Sequence, residues 1–109
     1  MTDLDLLKKA ARAAGYANTH AWSDKFAVWA GGDYVLWNPL EDDGDAFRLM
    51  TELMLDVEIN CNIVTVTTPE YDEFDEETGD WGPLIDRDAM RTATRRAIVR
   101  AAAAMGAAQ

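Results

Sequence analysis

The chain has 109 residues, 49% of them apolar, and carries 20 acidic against 10 basic side chains for a formal charge of −10. This length suits one domain, residues 1–109, burying roughly 65% of its unfolded surface around a modest core, and the apolar content excludes a disordered chain. A single cysteine, Cys61, excludes a disulfide framework within the chain and points to a reducing compartment. No apolar run approaches the ~20 residues that a membrane-spanning helix needs. The opening Met1-Thr2-Asp3-Leu4-Asp5 lacks the basic and apolar regions of a signal peptide, so no membrane association and a cytoplasmic location are expected.

Residues 3–14 read as an amphipathic helix. Thr2 is placed as its N-cap with Asp5 in capping-box spacing, and Leu4, Leu7, Ala11 and Ala14 follow one face. Gly15 stands where a helix ends in a left-handed residue. Residues 16–37 are aromatic-rich. Lys25–Ala30 and Tyr34–Trp37 are β-prone runs on either side of Gly31-Gly32-Asp33, which predicts a hairpin with a tight turn. The four tryptophans, Trp22, Trp29, Trp37 and Trp81, are the natural anchors of a small core.

Pro39 breaks the strand, and Asp42, Asp43 or Asp45 caps a second helix that runs to about Leu55. Ala46, Leu49, Met50, Leu53 and Met54 cover its broad apolar face. Val57–Asn60 and Ile63–Thr67 form a second hairpin, with either Ile63 and Thr65 or Val64 and Val66 facing the core according to the turn. Residues of about 69–83 then form a strongly acidic loop or edge strand. The last helix is expected over 86–105, with Met90, Ala93, Ala97, Ile98, Ala101, Ala104 and Met105 within an arc of about 140° and Gly106 following its end. The predicted class is α+β, a small antiparallel sheet packed with about three helices in the order α-β-β-α-β-β-α.

Charge is unevenly spread. Residues 41–80 hold 14 acids and one base, Arg48, a net of −13, and the rest holds 6 acids and 9 bases, a net of +3. Such a middle segment repels duplex DNA, so direct DNA binding is not expected. Within it, Tyr71, Asp72, Glu73, Phe74, Asp75, Glu76, Glu77, Asp80 and Trp81 interleave acids with aromatics as a nucleic acid interleaves phosphates with bases. This is the candidate interaction segment; the plainer alternative is a solvated acidic loop whose aromatics tuck into the core.

Other constellations carry less chemistry. Glu41-Asp42-Asp43-Gly44-Asp45 fails as a calcium loop because the twelfth position from Asp42 is Leu53, and its acids suit a helix N-terminus. Arg91, Arg95, Arg96 and Arg100 of the last helix more simply pair with the acidic middle, or keep the helix's exposed face soluble, than grip a nucleic acid. His20 and Cys61 lack a recognisable catalytic or metal-ligand context, and Gly31-Gly32 lacks a following Lys-Ser/Thr for phosphate. No catalytic residue, metal ligand or cofactor is therefore assigned.

Several runs resemble a known family. Trp37-Asn38-Pro39-Leu40-Glu41-Asp42-Asp43-Gly44-Asp45-Ala46 opening a helix, the stretch Leu53–Val66, Gly82-Pro83-Leu84-Ile85-Asp86-Arg87, and the closing Ala93–Ala102 run resemble segments of the phage ABA sandwich domain family of small phage and prophage proteins. The resemblance covers residues 37–105 and implies a small sheet sandwiched with helices, a phage or prophage setting and hence a bacterial host cytoplasm. It carries over no catalytic residue. The resulting expectation is a non-enzymatic accessory protein acting by protein–protein contact, with homodimerisation as one form of it. The alternatives are an acidic mimic that inhibits a host restriction or CRISPR-type protein, and a small ligand-binding module or enzyme.

Overall fold

A computed structural model describes residues 2–23, 25–60, 62–78 and 87–107. Cys61, Asp80, Trp81, Asp86 and most of the Gly82–Arg87 run lie outside the described residues. The element order is α1 (Asp3–Ala13), β1 (Thr19–Ala21), β2 (Phe26–Trp29), β3 (Tyr34–Leu36), α2 (Asp43–Glu52), β4 (Asp56–Asn60), β5 (Ile63–Thr67), β6 (Glu73–Glu77) and α3 (Arg87–Ala107). The α+β class and the three helices agree with the sequence. The strands instead form two antiparallel sheets, β1-β2-β3 and β4-β5-β6, so each expected hairpin gains a third strand.

The added strands escape pattern reading for different reasons. β1 is three residues long, too short for a period, and is held by its register Thr19↔Val28, His20↔Ala27 and Ala21↔Phe26. β6 is the acidic segment itself, which is an edge strand and not a loop over Glu73–Glu77. There Phe74 opposes Val66 and Glu76 opposes Val64, so the strand turns alternate residues inward despite its acidity.

Local chemistry sets the helix ends. Thr2 and Asp5 form the expected capping box, Asp5 N donating to Thr2 Oγ1 at 3.1 Å and Thr2 N to Asp5 Oδ2 at 3.3 Å. Gly15, at φ 94°, closes α1: its N–H donates to Arg12 O, and Tyr16 N donates to Ala11 O. The same closure ends α2, with Met54 N on Thr51 O and Leu55 N on Met50 O, but the left-handed residue is Met54 at φ 55°. α2 therefore stops at Glu52, short of the expected Leu55. Gly31 and Gly32, at φ 66° and 113°, make the tight β2–β3 turn.

α3 is the central element and contacts α1, α2, β5 and β6. One core cluster joins Leu6, Leu7, Ala10 and Ala11 of α1, Phe26 and Val28 of β2, Trp37, Leu49 of α2, and Val64 and Val66 of β5 to α3. This settles the β5 alternative in favour of Val64 and Val66. It also corrects the α1 face: Leu4 is 40% exposed and Ala14 half-buried, because α1 packs on α3 through Ala10 and Ala11 and the stripe rotates toward Leu6. α3 buries Val99, Ala102 and Ala103 in addition to Ala97, Ile98 and Ala101, since neighbours cover it from more than one side, while Ala104 is exposed. Gly106 does not follow the helix but lies inside it. A Cβ there would collide with the carbonyl of Lys9, so this glycine permits α1 and α3 to approach closely.

Candidate interaction surfaces

The acids of residues 41–80 separate into groups with different work. At the start of α2, Asp42 caps the helix, accepting from Asp45 N at 2.8 Å. Asp45 accepts from Asn38 N at 2.9 Å and from Arg48 at 2.7 Å. Asp43 accepts from Arg95 at 2.6 Å, and Arg95 Nε also donates to Leu40 O at 2.9 Å. Each of these carboxylates has a protein partner, as the capping reading expects. Among the described residues no cluster of metal-ligating side chains occurs.

On β6 the acids split by strand parity. Glu76 faces α3 and takes Arg100 at 2.7 Å and Arg96 at 3.4 Å. Arg100 also donates to Asp75 O at 2.8 Å and lies 5.8 Å from the Phe74 ring centre, so Phe74 is covered by a cation and the sheet's inner face is pinned to α3. Arg96 completes the link with Asp3 of α1 at 3.2 Å. The arginines of α3 thus pair with acids, including those of the middle segment.

The outer face is different. Glu73, Asp75 and Glu77 are exposed and stand in register with β4 through β5, in rows Asp56–Thr67–Glu73, Glu58–Thr65–Asp75 and Asn60–Ile63–Glu77. Two lines of carboxylates therefore run along the edges of one sheet face, about 10 Å apart across two strand spacings and with steps of about 7 Å along each strand. Among the described residues, Thr65 Oγ1 donates to Asp75 at 2.7 Å and Asn60 Nδ2 to Glu58 at 3.0 Å, and none of these carboxylates is in an ion pair. Asp56 and Glu58 were not singled out in the sequence. Their signal was the alternation of acids with Val57 and Ile59, which places them on the outer side of a strand.

The remaining residues of the candidate segment go elsewhere. Asp72 closes the β5–β6 loop, its N–H donating to Thr68 Oγ1 at 3.1 Å and Thr68 N to its carbonyl at 2.9 Å. Tyr71 is left-handed at φ 70° and 86% exposed, so it does not tuck into the core. Asp80 and Trp81 lie outside the described residues.

Two apolar surfaces complete the picture. Phe47 and Ile59 are 60% and 54% exposed beside a hollow of about 300 Å³ that Met50, Met90 and Ile98 line. The outer face of β1-β2-β3 holds His20, Trp22, Trp29, Tyr34 and Leu36. Ring centres lie 4.5 Å apart for His20–Trp22, 6.0 Å for His20–Tyr34 and 5.1 Å for Trp29–Tyr34. Of the described tryptophans only Trp37 is a core anchor, packed on Tyr16 and Phe26; Trp22 and Trp29 remain 49% and 44% exposed. This overturns their expected role as core anchors, and the reason is β2 parity: Phe26 and Val28 point inward, so Trp29 points out.

His20 sits in this aromatic cluster rather than in a polar cleft. A concavity of about 540 Å³ opens instead among Leu4, Leu7, Trp22, Phe26, Leu40 and Arg95. Among the described residues no helix is long and apolar enough to cross a membrane. No family model, curated protein or solved structure matches this chain.

Proposed function

We propose that this chain is a non-catalytic interaction protein that binds a basic protein surface through the acidic outer face of β4-β5-β6. The observation that carries this reading is the register that lines Asp56, Glu58, Glu73, Asp75 and Glu77 along the two edges of one face. Exposed carboxylates that have no cationic partner among the described residues form a field that attracts a basic surface and repels nucleic acid. A nucleic-acid-binding groove of a host protein is such a surface, which joins the accessory-protein and acidic-mimic expectations in one mode of action. The phage or prophage setting is proposed from the sequence resemblance alone.

Its test is a pull-down from bacterial lysate with the wild-type chain and a Glu58→Gln/Glu73→Gln/Asp75→Asn/Glu77→Gln variant, washed at rising salt. A basic protein held by the wild type, released as salt screens the contact and lost by the variant supports the reading. A partner retained equally by the variant overturns it.

A second reading is self-association, favoured by the aromatic outer face of β1-β2-β3, whose five large side chains carry no carboxylate, lysine or arginine.

A further inference from the structure

We infer that two copies of this chain pair through the aromatic face of β1-β2-β3, stacked about a two-fold axis that runs strands of one copy antiparallel to those of the other. The inference rests on the self-association reading and adds the surface and its geometry. Each copy carries a formal charge of −10, so contact between charged faces is opposed by repulsion. The face of His20, Trp22, Trp29, Tyr34 and Leu36 contributes no carboxylate from these five side chains, so that opposition is weak there. Exposed Trp and Tyr are also the side chains that most often anchor an interface, and interface centres are depleted of charge.

The two ends of this face complement each other. At one end, where β2 begins, Trp22, Ser23, Lys25 and Leu36 border a shallow hollow of about 440 Å³. At the other, the cross-strand pair Trp29 and Tyr34 stands exposed beside the Gly31-Gly32 turn, with Asp33 next in the chain. A two-fold axis through the middle of the sheet places the hollow of one copy over the Trp29–Tyr34 pair of the other. The same operation brings Lys25 of each copy toward Asp33 of its mate. Neither Lys25 nor Asp33 is in an ion pair among the described residues. An interface that closes by a two-fold axis repeats each contact twice, so the Lys25–Asp33 pair acts at both ends.

The experiment is sedimentation equilibrium of the full chain over a wide concentration range, with far-UV circular dichroism to confirm folding. The expected wild-type mass at high concentration is 24.2 kDa, twice 12.1 kDa. Leu36 is 59% exposed, so Leu36→Glu should fold and shift the equilibrium to monomer. Lys25→Asp and Asp33→Lys should each weaken the dimer by about tenfold, and the double exchange should restore it to within about threefold. A wild type that stays monomeric overturns both self-association and this geometry. A dimer indifferent to folded Leu36→Glu, or single charge variants whose losses simply add in the double exchange, overturns the geometry while self-association stands.

Discussion

Arg100 of α3 reaches across to Glu76 of β6 at 2.7 Å, and this contact divides an acidic run that is uniform in sequence into an inner, structural side and an outer, solvent side. Glu76→Gln removes the negative charge that two arginines share while leaving both in place. A loss of about 1 kcal/mol is expected, since the pair is only partly buried. Thermal unfolding should fall by roughly 4–8 °C for a chain of this size. The exposed changes Glu73→Gln and Glu77→Gln should each stay within about 0.5 kcal/mol of wild type. Equal effects at all three positions would show that parity does not govern this strand.

Gly106→Ala should be strongly destabilising although alanine favours helix everywhere else in α3. Its Cβ would strike the Lys9 carbonyl, and backbone cannot yield as a side chain tip does. The expected cost is about 2–3 kcal/mol, read from urea unfolding. A neutral or stabilising result would mean that α1 and α3 are less closely packed than described.

Met54→Gly should raise stability. Met54 holds the left-handed position that closes α2 and is 78% exposed, so little burial is lost on replacing it. Relief of the left-handed backbone is expected to contribute about 0.5–1 kcal/mol. A lowered unfolding temperature would contradict this account of the helix end.

Asp5 supplies a pH prediction. Its carboxyl is held below its ordinary range first by the Thr2 side chain, then by the Thr2 backbone N–H, with Lys9 and Lys8 adding to the effect. A carboxyl with a depressed folded pKa stabilises the fold above its unfolded pKa, and that contribution is lost as pH falls through the lower, folded value. Carboxyl NMR titration should therefore place the Asp5 midpoint below that of an unstructured aspartate, and Thr2→Ala should move it up. An unmoved midpoint in Thr2→Ala would disprove the capping-box origin of the shift.

Arg95→Ala should loosen the connection between the residue 38–43 segment and α3, because it removes the bonds to both Leu40 O and Asp43. The side chain is only 16% exposed, so its loss is expected to cost about 1–3 kcal/mol in unfolding free energy. Arg91→Ala, on an ion pair at the exposed start of the helix, should cost less than about 0.5 kcal/mol and serves as the comparison.

What the sequence by itself determined was local. Thr2 and Asp5, Gly15, Gly31-Gly32 and Asp42 act within a few residues of their own backbone, so capping and turn chemistry could be read at those positions. The helical and strand periods of α1, α2, β4, β5 and α3 identified an α+β chain because burial imposes those periods. Tertiary structure alone decided everything that depends on which neighbour covers which face. It recruited β1, too short to show a period, and made Glu73–Glu77 a strand by pairing it with β5. It buried α3 from more than one side, turning Gly106 from an expected terminator into a packing residue. It also placed Asp56 and Glu58 in register with Glu73 and Asp75, and left Trp22 and Trp29 outside the core. A hydrophobic pattern says that a side chain can be buried. Whether it is depends on partners distant in the chain, and sequence spacing does not encode their arrival.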